Sequence, residues 1–585
     1  MRTMLLTMTA SLAALTAAGG ALADEARFTP EDFATTVTDY ALQDTALFVP
    51  PQDAKPALSG FTGTISVAES PMPSDPPQIA EGAVMGRNPQ LFPAIDLSFV
   101  TVGDDLVPAT QDVIRAGTTD EGESFWDVIV QPGKTWSIGD DGWSRASFPF
   151  SLVNMLEAET HNGVAMFLYR DGEVSDLRYQ ILTQTAPYYV ETYFTAAGSL
   201  PATLSATNMP GSEALAKAHE AALADALPVQ PWSALEAKVG AAPLEGFDST
   251  LRPDELVANA LMIDDALYLK SCPTPAGELP YCDRQRFGVW SVSKSLVPAT
   301  AALAVAREYG PQVLEMTITE LVPQAKGIAG WDKVTLGDAL NLATGMGYGQ
   351  REAEPKTPWE PYNSDYYAYY EARSASEKLD LMLNAATPYD WGPGAIMRYR
   401  DEDMFLAVVA LTNFLQQQEG PGANVWDFLQ QNVYQPIGIH GLPSTRTIEE
   451  DGSPGQPLAA WGLLPTLGDL AKLARLYQQG GSHDGQQILD ADLAARIAPG
   501  EVLVGLPTDL EEKPFYDMGF WRYPVTTEGC TVYYPSMDGW GENHVQLMPK
   551  GITAIRLAAN WDGDESAKDM SSLVQTANAI LPFCD

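Results

Sequence analysis

Cationic residues are scarce in this chain. Lys and Arg number 34 against 76 Asp and Glu in 585 residues, a formal net charge of −42. Binding a phosphate backbone needs clustered cations that release its counterions, so nucleic acid is excluded as a partner; an anionic membrane surface is disfavoured on the same ground. Histidine and cysteine are nearly as rare, at five and four. No two cysteines stand at Cys-x-x-Cys spacing, which leaves a thiolate zinc site without its ligands. Beyond residue 23 no stretch reaches the roughly 18 uninterrupted apolar residues of a membrane-spanning helix. Gly-x-Ser-x-Gly, His-Glu-x-x-His and P-loop motifs are absent, so α/β-hydrolase, zincin and NTPase chemistries have no local basis. What remains is 45% apolar and 9% aromatic residues. That is enough to fill real cores, with the acidic charge expected on the surface.

The first 23 residues have the form of an export signal. Arg2 precedes an apolar stretch rich in Leu, Ala and Met, and Ala21-Leu22-Ala23 is a small-residue cleavage site before Asp24. Cleavage after Ala23 leaves 562 residues (585 minus 23) and, with Arg2 gone, a charge of −43. A periplasmic or secreted location follows. An oxidising compartment lets the four cysteines pair in three ways. The preferred one bridges Cys272 and Cys282 across the Pro- and Gly-containing loop Pro273 to Tyr281, which leaves Cys530 with Cys584.

Residues 24–205 are strand-like, with Gly60 to Val67, Phe125 to Val130, Gly163 to Tyr169 and Tyr188 to Phe194 punctuated by Gly, Pro and Asp-Gly. Short β-rich runs of this kind predict a sandwich-like domain. His161-Asn162-Gly163 reads as a turn. Gly139-Asp140-Asp141-Gly142 could bind calcium but fits a turn better. Residues 206–245 hold a helical patch, Ser212 to Ala226, then a Pro/Ala-rich stretch, together predicting a linker. From 246 the pattern is a hairpin around Asp264-Asp265, a long apolar helix from Ser291 to Tyr309, and helical segments to Ile497. Strands at 531–534, 544–548 and 552–560 and a closing helix near 566–580 complete the chain. Strands, helices, then strands predict one sheet built from both ends of an α+β domain over 246–585.

Ser291-Val292-Ser293-Lys294, at the start of the apolar helix, is the only Ser-x-x-Lys in the chain. Residues i and i+3 share a helix face, so the hydroxyl and the amine can meet. The helix N-terminus favours developing negative charge. On its own the pair would be an N-cap serine and a solvated lysine.

The run Phe287 to Ser295 resembles the nucleophile segment of the serine β-lactamase-like superfamily, which holds class C β-lactamases, DD-peptidases, related esterases and 6-aminohexanoate-dimer hydrolases. Further segments resemble that superfamily in the same order: Val334 to Met346; Gly392 to Asp401, with Tyr399 standing 108 residues after Ser291; Ala460 to Lys472; and Asp538 to Asn543 before the Pro549-Lys550-Gly551 turn. The resemblance covers 246–585. It implies a β-lactamase/transpeptidase-like fold, an antiparallel sheet flanked by helices plus an all-helical subdomain, beside the β-rich N-terminal domain.

The resemblance also implies roles. Ser291 would be acylated, and Lys294 with Tyr399 would form the base, the ammonium favouring phenolate character at Tyr399. The backbone N–H groups of Ser291 and Trp540 would form the oxyanion hole, with Gly539 and Gly541 permitting close approach. Two departures stand out. The middle motif reads Tyr-x-Asp, so Asp401 either stabilises a cationic Lys294 or is structural. The third motif lacks Lys or His at its usual place, which points to the esterase and amide-hydrolase branch and to neutral or cationic substrates. His544 could touch substrate but reads as an exposed strand residue. The aromatic cluster Tyr348, Trp359, Tyr362, Tyr366, Tyr367, Tyr369 and Tyr370 fits an acyl or leaving-group pocket and ordinary packing equally. The expected partner is a small ester or amide; no cofactor, metal ion or integral membrane segment is expected. A non-catalytic ligand-binding or sensor protein and an acyltransferase using the same site are the alternatives.

Overall fold

The computed structural model describes residues 27–117, 122–139, 141–349, 358–527, 529–560 and 568–584. The export signal at 1–23 and Asp140 lie outside them. Two antiparallel sheets dominate. The first is built from β1 (Thr62–Val67), β2 (Ile95–Val102), β3 (Asp105–Pro108), β4 (Asp127–Val130), β5 (Gly133–Ser137), β6 (Ser144–Asn154), β7 (Glu157–Arg170), β8 (Leu177–Gln184), β9 (Thr195–Leu200) and β10 (Ala202–Ala206). Its strands run β10-β1-β2-β3-β5-β6-β7-β8-β9, with β4 paired to β6.

Alternation along β7 decides how this sheet is placed. Successive strand side chains point to opposite faces. Ala165, Phe167 and Tyr169 therefore join the sheet's own core with Phe148 and Phe150. Val164, Met166 and Leu168 join a second core with Phe287, Val289 and Trp290. Covered on both sides, β7 is buried from Glu157 to Tyr169. Two expectations fail here. His161-Asn162-Gly163 is not a turn but lies inside β7, because burial on both faces overrides the local preference of Asn-Gly. Tyr188 to Phe194 is not a strand; its backbone is irregular, and Glu157 Oε1 accepts the N–H groups of Tyr189 (3.0 Å) and Val190.

The span 206–245 holds α1 (Ser212–Ala224), then β11 (Val229–Pro231) and α2 (Trp232–Val239). β11 pairs in parallel with the second sheet, so this stretch extends that sheet at one edge. The sheet continues with β12 (Leu256–Ile263), β13 (Ala266–Ser271), β14 (Leu506–Pro507), β15 (Phe515–Asp517), β16 (Phe520–Thr527), β17 (Cys530–Gly539), β18 (Asn543–Leu547) and β19 (Thr553–Ala558). The order β11-β13-β12-β19-β18-β17-β16-β15-β14 joins strands from both ends of the region, as the strand–helix–strand pattern predicts. Both cysteine pairs form, Cys272–Cys282 and Cys530–Cys584. Among the described residues no helix is long and apolar enough to cross a membrane.

Two buried helices position the site. α3 spans 292–309, with a widened π-type segment at Ser295–Ala299 where Pro298 has no N–H to give. Apart from Ser293, Lys294, Ser295 and Thr300 its residues are apolar down to Ala306, and all of them, polar ones included, are buried. α4 (Asp401–Glu419) is buried in the same way from Asp401 to Thr412. The acidic charge is not confined to the surface. Glu157, Glu159, Asp401, Glu402, Asp403, Asp517 and Asp538 are buried.

Candidate active site

The N-terminal ends of α3 and α4 converge. Ser291 occupies the N-cap position of α3, yet its hydroxyl makes no capping hydrogen bond. Instead Lys294 Nζ donates to Ser291 Oγ at 2.7 Å and to the Ala460 carbonyl at 3.1 Å. Asp401, the first residue of α4, places Oδ1 2.6 Å from Lys294 Nζ as an ion pair, and Tyr366 Oη donates to its Oδ2 at 2.8 Å. A carboxylate in the first turn of a helix is also favoured by the dipole. Burial opposes a charge on Lys294, but Asp401 and then Tyr399 outweigh it and hold the ammonium above its ordinary pKa.

Tyr399 lies two residues before Asp401, where the chain enters α4. Its ring is 4.7 Å from Lys294 Nζ and stacks on Trp521 at 5.8 Å, with Trp359 edge-on at 5.1 Å. The Tyr399 N–H donates to Pro358 O at 2.6 Å, fixing the backbone against the preceding segment. Ser291, Lys294, Tyr399 and Asp401 thus come together from segments more than 100 residues apart.

The turn between β17 and β18 closes the other side. A methyl carbon on Gly539 would fall 2.1 Å from the Val289 carbonyl oxygen and 3.3 Å from the Ser291 nitrogen, so only glycine lets this strand end approach the backbone at Ser291. Gly541 has φ +80°, and a Cβ there would fall 2.2 Å from Ala186 Cβ. The Trp540 carbonyl is taken by Asn543 Nδ2 at 2.6 Å, and its ring is exposed.

No Lys or His stands in the third motif, Asp538 to Asn543. A cation nevertheless arrives from elsewhere: Lys513 Nζ is 3.3 Å from Asp538 Oδ2 and 4.4 Å from the Trp521 ring centroid. His544 is not an exposed strand residue. It is 2% exposed, with Nδ1 3.0 Å from Asp538 and Nε2 2.9 Å from Glu542, because its side chain lies on the inner face of β18 directly opposite Asp538. Burial disfavours its protonation, but the two carboxylates outweigh this and raise its pKa above 6.5.

The aromatic cluster is part buried and part exposed. Tyr366, Tyr369 and Tyr370 are packed, Tyr370 stacking on Trp461 at 4.4 Å. Trp359, Tyr362 and Tyr367 are exposed, and with Trp540 they present aromatic surface near the site.

Several contributors have no signature in the sequence. Trp290 holds φ +48°, a left-handed conformation unusual for a large side chain, immediately before Ser291. Its indole N–H donates to Ala186 O at 3.2 Å, and Tyr188 packs edge-on against it at 5.6 Å. The Gly288 N–H donates to Thr160 Oγ1 at 3.0 Å, and Asn162 Nδ2 donates to Arg286 O at 2.7 Å. The first sheet therefore forms the back wall of the segment Arg286 to Ser291.

The chain is similar to solved structures of serine β-lactamase-like hydrolases. These include a penicillin-binding protein homolog from Caulobacter crescentus (17% identity, 58% of this chain and 97% of the other, TM-score 0.38). A D-stereospecific amidohydrolase from Streptomyces sp. is similar at 16% identity, over 58% of this chain and 98% of the other, with TM-score 0.38. A class C β-lactamase is similar at 14% identity, over 60% and 98%, with TM-score 0.40. Such likeness is too distant to carry a reaction or a substrate across. No family model and no curated protein matches the chain.

Proposed function

We propose that this protein is an exported serine hydrolase that cleaves an ester or amide bond through an acyl-enzyme on Ser291. The observation that carries this is Lys294: fully buried, paired to Asp401 at 2.6 Å and donating to Ser291 Oγ at 2.7 Å. An ammonium that donates to the hydroxyl oxygen cannot also take the hydroxyl proton. The proton must pass to another base, a role we assign to Tyr399, and its ring against the same ammonium supports that assignment. Tyr399 then protonates the leaving group and later activates the water that releases the acyl group.

The N–H groups of Ser291 and Trp540 receive the oxyanion, their approach allowed by Gly539. The exposed rings of Trp359, Tyr362, Tyr367 and Trp540 support an apolar or aromatic acyl or leaving group. Lys513 is already engaged by Asp538. With a net charge of −42, neutral or cationic substrates are therefore favoured over anionic ones.

Burst kinetics on nitrophenyl esters test this. Wild type should give a burst of one equivalent that Ser291→Ala abolishes, with neutral esters turned over faster than matched anionic ones at low salt. Product analysis with added alcohol or amine separates hydrolysis from acyl transfer. A folded protein with no burst on any ester or anilide would leave the ligand-binding alternative standing.

A further inference from the structure

Three ligating side chains meet behind the nucleophile segment and take no part in the proposed reaction. Residues i, i+2 and i+4 of a strand share one face. Glu157, Glu159 and His161 at the start of β7 follow that spacing, and one donor atom from each lies within 4.8 Å of the others. All three are 0% exposed. His161 Nε2 is 3.0 Å from Glu159 Oε1, and Glu157 Oε1 accepts the amides of Tyr189 and Val190. That leaves Glu157 Oε2, Glu159 Oε2 and His161 Nδ1 buried without a hydrogen-bond partner. Among the described residues no Lys or Arg pairs with either carboxylate.

Two carboxylates withdrawn from water with no cation and with orphaned oxygens are costly in any fold. A divalent ion offsets both negative charges and takes oxygen and imidazole donors together. We propose that Glu157, Glu159 and His161 bind a divalent transition-metal ion, zinc first by the chemistry of one imidazole and two carboxylates. Ligands about 2.0–2.2 Å from such an ion lie roughly 3–3.5 Å from one another, so small side-chain movements close the site. The walls suit a fixed ligand: the His161 ring is stacked on Phe194 and edge-on to Trp126, each at 4.6 Å between centroids.

The ion's role is structural. Glu157 also holds the 186–194 loop, whose Ala186 carbonyl anchors Trp290, and β7 itself anchors Gly288 through Thr160. The ion pins the first sheet to the backbone that presents Ser291.

Metal analysis of the mature protein after exhaustive dialysis tests this. About one equivalent of zinc per chain is expected, and stripping with a chelator should lower Tm by several degrees, with zinc restoring it. Glu159→Gln and His161→Ala should each lose the bound equivalent; if either variant fails to fold, the wild type's metal content and zinc-dependent Tm still decide. The proposal is overturned if wild type holds no stoichiometric metal and zinc, manganese and iron(II) leave Tm unmoved. It is equally overturned if His161→Ala keeps the metal. A carboxylic-acid infrared band in wild type that Glu159→Gln removes would show that the two carboxyls hold protons in place of an ion.

Discussion

Replacing Asp401 by Asn should silence Ser291 while leaving the fold intact. Asn keeps an oxygen to accept the Tyr366 hydroxyl, and the removed feature is the negative charge 2.6 Å from Lys294 Nζ. At that separation, with an effective dielectric near 20, the attraction is about 6 kcal/mol, part of which offsets desolvation. Breaking a buried pair by removing one partner costs about 3–5 kcal/mol. If about 3–4 kcal/mol of that is lost from the transition state, kcat/KM falls roughly 10²–10³-fold. The sign of the pH effect follows from the balance at Lys294. Asp401 is the main influence holding its pKa up against burial, so without it burial prevails and the lysine loses its proton at lower pH. The alkaline limb of the kcat/KM profile should therefore move to lower pH in Asp401→Asn, with partial recovery on acidification. Steady-state ester hydrolysis across pH, with Tm measured in parallel, is the assay. A variant with wild-type Tm, near-wild-type kcat/KM and an unmoved alkaline limb would refute the role given to this pair.

Gly539→Ala should slow acylation at least about tenfold and lower stability by about 1–3 kcal/mol, because its methyl would fall 2.1 Å from Val289 O beside the Ser291 amide. Acylation rate and denaturant midpoint measure the two effects. Reduction should lower Tm through both crosslinks: sequence separations of 10 and 54 residues correspond to about 3 and about 4 kcal/mol, so Cys530→Ser should cost more than Cys272→Ser. The His544–Asp538 pair should give stability a pH window. The raised His544 contributes below 6.5 and loses its contribution as pH climbs through its folded pKa; the depressed Asp538 contributes above 3.8 and loses its contribution as pH falls. Urea midpoints against pH should show both flanks, and His544→Asn should flatten the upper one.

Much of this site is written locally. Ser291 and Lys294 are one helical turn apart, so their meeting needs only a helix, and the apolar run after them supplies it. Tyr399 and Asp401 are legible only as part of an ordered set of segments, since nothing in Tyr-Arg-Asp itself says that α4 will start beside the start of α3. The remaining contributors depend on burial that no window displays. His161-Asn162-Gly163 has turn composition, yet it is strand because cores cover both faces of β7. His544 lies in a strand whose inner face is polar and buried, so the short-range pattern suggests exposure. The left-handed Trp290 is fixed by Ala186, 104 residues away in sequence. Lys513, in the segment before β15, reaches Asp538 by its side chain from 25 positions away, so the third motif looks cation-free when read along the chain.

The central claim is that Ser291 is the nucleophile and Lys294 its cationic partner. Labelling the folded protein with a fluorophosphonate and mapping the adduct by peptide mass spectrometry tests this most directly. One adduct is expected, on Ser291, absent in Ser291→Ala and formed far more slowly in Lys294→Met. Labelling at another residue, or at Ser291 with an undiminished rate in Lys294→Met, would contradict it.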